Sequence, residues 1–335
     1  MLRTEPGPEP VERLGSILAD DLAAVDQIIL DRMKSRNAPR VEDVAAHLFA
    51  GGGKRLRPLL TLAAARLCGY TGDSHIGLAA TVELIHTATL LHDDVVDESR
   101  RRRGRPTANL LWDNKSSVLV GDYLFSRSFQ LMVETGSIRV LDVLANAAAT
   151  IAEGEVLQLT ASRSLATDEA TYLKVIRGKT AALFSASAEV GAIIAGASDD
   201  VVAGFRDFGL AFGMSFQITD DILDYRGHSG GLRKNVGDDF RESKLTLPVI
   251  KAVAEGTPEE IVFWKRVIEL GQPGDGDFAK ALQILERRDS LDQARSDAVE
   301  WSDKARLALS SVPESECGIR GLLMGLAERS VSRLY

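Results

Sequence analysis

Two cysteines and five histidines in 335 residues are too few to supply a covalent framework or a cluster of soft metal ligands. Cys68 and Cys317 make no disulfide scaffold, and without a Cys-x-x-Cys pair they argue against structural zinc and redox chemistry; a reducing cytoplasm suits them. No run of eighteen apolar residues is present to cross a bilayer, and the N-terminus lacks an apolar h-region, so neither a membrane span nor a signal peptide is expected. A Pro/Ser-rich linker is also missing. Residues 1–335 therefore read as one domain, with the Pro- and Glu-rich residues 1–10 as a mobile tail. Strand signals are scarce as well.

What the chain has in quantity is apolar sequence at helical spacing. Hydrophobic residues make up 45% of it, enough for a large core. They recur at three and four through 76–91 and 118–133. Alanine-rich stretches at 141–152 and 181–197 let helices approach closely, and turns fall at Gly69-Tyr70-Thr71-Gly72, Gly196-Ala197-Ser198, Gly256-Thr257-Pro258 and Gly271-Gln272-Pro273-Gly274. The expected fold is an all-α bundle around a central cavity, where carboxylates from facing helices can hold metal.

Into this apolar background two acidic clusters are set, Asp93-Asp94-Val95-Val96-Asp97 and Asp220-Asp221-Ile222-Leu223-Asp224. On a helix Asp93 and Asp97 share a face, as do Asp220 and Asp224. Like charges at that spacing cost a few tenths of a kcal/mol each unless a cation compensates. Hard oxygen ligands with open positions suit Mg²⁺, bound jointly by carboxylates and a substrate phosphate. A single cluster of this kind is ordinarily a solvated helix face. Two copies, flanked by Ala88-Thr89-Leu90-Leu91-His92 and Phe216-Gln217-Ile218-Thr219, are expected instead at the rim of a hydrophobic interior, with their helices as neighbours across it.

The basic residues are grouped too. Gly51-Gly52-Gly53-Lys54-Arg55-Leu56-Arg57-Pro58 is a glycine-rich turn into a helix, where Lys54 and Arg57 can meet an anion. Arg100-Arg101-Arg102-Arg103-Gly104-Arg105-Pro106-Thr107 resembles a nucleic-acid signal when taken alone. The net charge of −8 and the lack of a basic stripe interleaved with aromatics exclude a polynucleotide partner. Lys179, in Arg177-Gly178-Lys179-Thr180, with Lys234 and Lys244, adds cations near the second cluster; taken singly each is an ordinary surface lysine.

The elements GGGKRLRP, LLHDDVVDESRRRRGRPT, GDYLFSR, EGEVLQL, RGKTAALF, SFQITDDILDY and KNVGDDFRESKLTLP, in that order from about Gly51 to the end, resemble the trans-polyprenyl diphosphate synthases. Similarity is greatest to the long-chain members that make quinone side chains, the octaprenyl and decaprenyl diphosphate synthases. Two departures are visible, Arg233 where a glycine is common and four arginines where two are needed. The resemblance implies an isoprenoid-synthase-type bundle, a homodimer and three Mg²⁺ ions held by Asp93, Asp97, Asp220 and Asp224, with Asp94 and Asp221 in the same catalytic clusters. It further implies that Lys54, Arg57, His86 and Arg103 hold isopentenyl diphosphate. Arg102 would then face the allylic diphosphate, with Lys179, Thr180 and Gln217 as contacts to that substrate and Lys234 and Lys244 joining around its diphosphate.

Chemistry follows from such a substrate pair. Neutralised by metal and lysines, an allylic diphosphate ionises and the isopentenyl double bond attacks the cation; the resemblance implies that the departed diphosphate takes the proton. Carboxylates with an ordinary pKa near 3.9 act here as ligands, not acids. His92 beside Asp93 also fits a metal-dependent phosphohydrolase, which needs more histidines than are present. Ala88 and Thr89, with Ile85 one turn deeper, carry no aromatic floor beneath the first cluster, so a long product is expected, its limit set by Phe129 or Met132 on another helix. About twenty helical residues give roughly 30 Å of depth. The segment 226–239 contains four glycines and is either a lid over the diphosphate or a plain connection. A shorter-chain synthase, a class I terpene cyclase and a non-catalytic partner subunit remain as alternatives. So apolar a product would need a membrane or a carrier to leave, which makes transient membrane contact an expectation.

Overall fold

The computed structural model describes residues 9–227, 236–315 and 317–334, to which the observations below refer. The chain runs through α1 (Pro10–Ile17), α2 (Ala19–Met33), α3 (Pro39–Phe49), α4 (Leu56–Leu67) and α5 (Ser74–Val96). The only strands among the described residues follow, β1 (Arg101–Arg102) and β2 (Arg105–Pro106). Then come α6 (Ala108–Leu111), α7 (Asn114–Glu134), α8 (Ile138–Ala161), α9 (Glu169–Ile176), α10 (Ala182–Ile194) and α11 (Asp199–Arg226). The remainder is α12 (Asp238–Arg241), α13 (Leu247–Ala254), α14 (Pro258–Trp264), α15 (Asp277–Arg287), α16 (Ser290–Ala308) and α17 (Ile319–Ser332). The all-α expectation is met. No described helix is long and apolar enough to cross a membrane.

Local chemistry sets many helix starts. Pro10, Pro39 and Pro258 stand in first turns, where a missing N–H costs nothing. Asp113 and Asp168 accept the backbone N–H of Ser116 (2.6 Å) and Thr171 (2.9 Å), satisfying donors that a helix leaves orphaned.

Contacts divide the chain into two compact units. The first comprises the described residues up to Ala148 with Ala186–Arg206 and Ser311–Leu323; the second comprises Ala149–Ser185, Asp207–Ser310 and the stretch from Met324. In the first, α5 is apolar nearly all round and packs on α2, α4 and, most extensively, α7. Small side chains bring backbones together there: Ala63, Ala64, Ala79, Ala80 and Ala88 are fully buried. Gly121 of α7 gives room to His92, whose ring occupies the space a Cβ would need and whose Nε2 lies 3.2 Å from the Val118 carbonyl. The second unit packs α9, α11 and α13 to α16 around Trp264, Phe240 and Tyr225.

Gly191 marks the tightest approach to α4 in the first unit. A Cβ on it would overlap the Thr61 carbonyl oxygen and stand 2.8 Å from Ala64 Cβ, while the buried Thr61 hydroxyl donates to the Ser187 carbonyl at 2.8 Å. Gly191→Ala is therefore expected to cost about 1–3 kcal/mol of stability. Urea denaturation measures it, and an unchanged midpoint would show that α4 yields freely.

Candidate active site

In the first unit the acidic cluster closes α5. Asp97 N–H bonds to the Asp93 carbonyl at 2.8 Å, and Glu98 ends the helix in the left-handed region at φ 51°. Asp93 and Asp97 are half-buried, whereas Asp94 is fully buried. One Asp94 oxygen accepts from Arg102 Nε (2.9 Å) and Nη2 (2.8 Å); the other has no hydrogen-bond partner. Burial raises the Asp94 pKa against the pull of Arg102. These carboxylates stand at the negative end of a helix whose last turn carries no basic residue. Each such charge is disfavoured by about 0.3–1 kcal/mol.

Beside them lies a cationic pocket. After α3 the chain passes through Gly51, Gly52 and Gly53 to Arg55, which adopts a left-handed conformation (φ 48°) and opens α4. A Cβ on Gly53 would lie 3.0 Å from Arg103 Nη1, so a side chain there would press on the guanidinium. Arg103 occupies the tip of a two-residue hairpin joining β1 to β2, with φ 52° there and 77° at Gly104, a type I′ geometry. Burial drives the His86 pKa well below the usual imidazole range, and Arg57, Arg103, Arg102 and Arg55 drive it further. Arg57 is itself pushed down to about 10 by burial, against the attraction of Glu83. Glu83 is paired with Arg55 at 2.5 Å. Arg57, His86, Arg102 and Arg103 thus converge, Arg102 included although the resemblance set it toward the allylic diphosphate, and Lys54 stands exposed on the glycine loop.

Beneath the cluster Ile85 and Ala88 are fully buried, and the half-buried Thr89 donates its hydroxyl to the His86 carbonyl at 2.8 Å. On α7, Met132 is 1% exposed. Phe129 is 38% exposed and meets only the edge of Phe125 among aromatic rings, so Met132 is the interior residue of the two expected to limit the product.

The second unit assembles its site from a π-helical turn, Arg177–Ala181, between α9 and α10. Gly178 and Gly154 of α8 cross with no room for side chains: a Cβ on Gly154 would lie 2.8 Å from the Lys179 nitrogen. The widened turn presents Lys179, whose Nζ pairs with Glu155 at 2.9 Å, and Thr180, which donates to Gln217 Oε1 at 2.8 Å. Gln217 Nε2 donates to one Asp221 oxygen (2.8 Å) and the Tyr172 hydroxyl to the other (2.7 Å). Burial, then Asp239 and Asp220, push Asp221 up to about 8 against those two donors. Lys179, Thr180, Gln217, Asp221, Asp239 and Lys244 line a cleft of about 150 Å³. Lys244 also pairs with Glu242 at 2.6 Å.

Asp224 accepts the backbone N–H of Asp238 (3.2 Å) and Asp239 (3.0 Å), one bond to each oxygen, and so caps α12. Asp220 is partly exposed, 3.9 Å from Arg333 Nη2. Lys234 and most of the 226–239 segment lie outside the described residues; the described end is helical from Asp238. Among the described residues no three carboxylate, histidine or cysteine side chains converge as a ready-made metal cage. Two carboxylates on each helix instead fit a hard cation that completes its shell with water and phosphate.

Tyr172 and Glu83 carry no signal in their own spacing, while Arg55 and Glu155 stand within the quoted GGGKRLRP and EGEVLQL elements without being singled out. Each is found only through the partner that it touches. Asp239 stands inside the quoted KNVGDDFRESKLTLP element, where the pair Asp238-Asp239 was the available sign.

With this geometry in view, comparison with known proteins gives a consistent result. The polyprenyl synthetase family matches residues 38–285. Octaprenyl diphosphate synthase of Escherichia coli (strain K12) is 42% identical over 323 residues, spanning 96% of this chain and 99% of that protein. A decaprenyl diphosphate synthase structure from Rhodobacter capsulatus has a TM-score of 0.93 and 61% identity, covering 97% of this chain and 99% of that one. A polyprenyl synthase from Caulobacter crescentus CB15, complexed with calcium and isoprenyl diphosphate, has a TM-score of 0.91 and 48% identity over 96% and 97% of the two chains. The chain is a prenyl-transferring enzyme and belongs to the polyprenyl synthetase family.

Proposed function

We propose that the enzyme condenses isopentenyl diphosphate with an allylic diphosphate, farnesyl or geranylgeranyl diphosphate, and repeats the head-to-tail trans addition to a long chain suited to a quinone. The observation that carries this is the shared position of Arg102, bound to the buried Asp94 of the acidic helix end and also one of the cations crowding His86. A metal-binding carboxylate cluster and an anion pocket are thereby set side by side. The octaprenyl and decaprenyl relatives support a product of eight to ten units. Calcium and isoprenyl diphosphate in the Caulobacter neighbour support a divalent cation in the site.

Asp93 and Asp97 on α5, and Asp220 and Asp224 on α11, are the residues to hold three Mg²⁺ ions. Bound there, magnesium would neutralise the leaving diphosphate, a contribution of several kcal/mol. Arg102, Lys179, Lys234 and Lys244 orient that diphosphate, while Thr180 and Gln217 contact the allylic substrate. Lys54, Arg57, Arg103 and a neutral His86 grip isopentenyl diphosphate, His86 adding a hydrogen bond without a further charge. The allylic C–O bond breaks, the isopentenyl alkene attacks the cation, and the departed diphosphate accepts the proton, so no side chain need serve as base. Exposed Leu119, Phe129 and Val133 on α7 suit a second copy of the chain, making a homodimer. The proposed location is the cytoplasm, with transient membrane contact at product release.

Incubation with farnesyl diphosphate, isopentenyl diphosphate and Mg²⁺ should yield a long linear polyprenyl diphosphate; a cyclised hydrocarbon or no product would contradict the proposal. Asp93→Ala and Asp220→Ala should each keep the helical circular dichroism of the parent and lose turnover about a thousandfold, roughly 4 kcal/mol in the transition state. Near-normal rates in both variants would refute the metal-ligand roles. Ala88→Tyr should shorten the product on reversed-phase chromatography, and an unaltered product would remove Ala88 from the wall beneath the growing chain.

A further inference from the structure

We propose that His47 is a positioning residue for the isopentenyl diphosphate pocket. It ties the arginine hairpin to the base of the glycine loop, so that Arg103 and Gly53 are held at a set spacing. The inference rests on the reading of that pocket given above.

The hairpin needs such a tie. Its ladder consists of two residue pairs, Arg101 with Pro106 and Arg102 with Arg105, far too little to persist by itself in water. At its base Thr107 N–H donates to the Arg100 carbonyl (3.2 Å) and the Thr107 hydroxyl to the Ser99 carbonyl (2.7 Å). The first strand is anchored through Arg102 to Asp94. The second strand is anchored through His47.

Pro106 has no N–H, so its carbonyl is its single backbone hydrogen-bonding group, and that oxygen lies 2.9 Å from His47 Nε2. A carbonyl can only accept, which assigns the proton to Nε2 and leaves Nδ1 as the acceptor. Nδ1 faces Arg105 Nη2 at 3.2 Å, a group that can only donate, and Arg105 Nη1 donates back to the His47 carbonyl at 3.2 Å. Both ring nitrogens are thus matched to the strand by one tautomer. The edge of Trp112, at 5.6 Å and an interplanar angle of 71°, fixes the plane of the ring.

His47 also lies in the last turn of α3, four residues before Gly51. The two segments that bring anion-binding groups together are therefore the loop that leaves α3 and the hairpin that His47 clamps to it. Both rely on left-handed backbone, at Gly52, Arg55, Arg103 and Gly104, and the two-pair ladder of the hairpin is too short to stiffen it. Misplacement of an anchoring group by about 1 Å can cost as much as 100-fold in a reaction that depends on orientation.

The test uses the full-length enzyme. His47→Phe keeps a ring against Trp112 and removes both nitrogens; His47→Gln keeps one donor and one acceptor. His47→Phe should raise KM for isopentenyl diphosphate, and its Kd measured calorimetrically without metal, about tenfold, with KM for the allylic substrate and the melting temperature unchanged. His47→Gln should recover most of the loss. If His47→Phe does not fold, Arg105→Met, which removes the donor to Nδ1, should give the same rise. Unchanged constants for isopentenyl diphosphate would overturn the role, as would a parallel loss for both substrates with a lower melting temperature. Arg103→Ala separates the two levels: if it leaves KM for isopentenyl diphosphate unaltered, the pocket reading fails and the His47 role with it. If Arg103→Ala raises that KM and His47→Phe does not, the His47 role alone fails.

Discussion

Negative charge gathered at the negative end of a helix is the constraint around which this molecule is organised. α5 ends on Asp93 and Asp94 with Asp97 at its C-cap, where carbonyls without helical partners already disfavour an anion, and α11 carries Asp220, Asp221 and Asp224 in its last two turns. Such an arrangement lowers the stability of the empty protein and is relieved by a cation of high charge density. The structure partly offsets the cost within the chain. Arg102 takes the buried Asp94, Gln217 and Tyr172 donate to Asp221, and Asp224 receives two N–H groups from the next helix. Asp93 and Asp97 keep partial access to solvent, which a ligand for an entering ion requires.

The same logic with opposite sign holds for the arginine pocket. Four guanidinium groups crowd His86, with Glu83 and Asp26 set against Arg55 and Asp94 against Arg102. Desolvated cations at close quarters repel, so an anion entering the pocket would gain more there than on a solvated surface. Keeping His86 neutral avoids one further positive charge while its ring remains able to hydrogen-bond.

Glycines make these approaches possible. Gly53 admits the Arg103 guanidinium, Gly121 admits the His92 ring, and Gly154 with Gly178 lets α8 meet a π-helical turn backbone to backbone. That last contact matters because the π turn changes the phase of the helix at Lys179 and Thr180, turning both toward the cleft that Asp221 lines. His92, which beside Asp93 suggested phosphohydrolase chemistry, is occupied instead with α7 through Val118 and Asp122.

Spacing and composition alone determined that this chain is helical, that Asp93 with Asp97 and Asp220 with Asp224 share helix faces, and that Lys54 and Arg57 follow a glycine turn. Those are local properties, set within four residues by helical periodicity and backbone freedom. Only the tertiary structure decided that Asp94 turns inward to Arg102, that Met132 is interior where Phe129 is not, and that a hairpin shapes the arginine run. It also decided that Tyr172, 49 residues from Asp221, is its hydrogen-bond partner. Contacts between residues distant along the chain depend on how faces pack, and packing at a crossing such as Gly154 with Gly178 is settled by the absence of a methyl group. A one-dimensional pattern registers that absence only as a glycine.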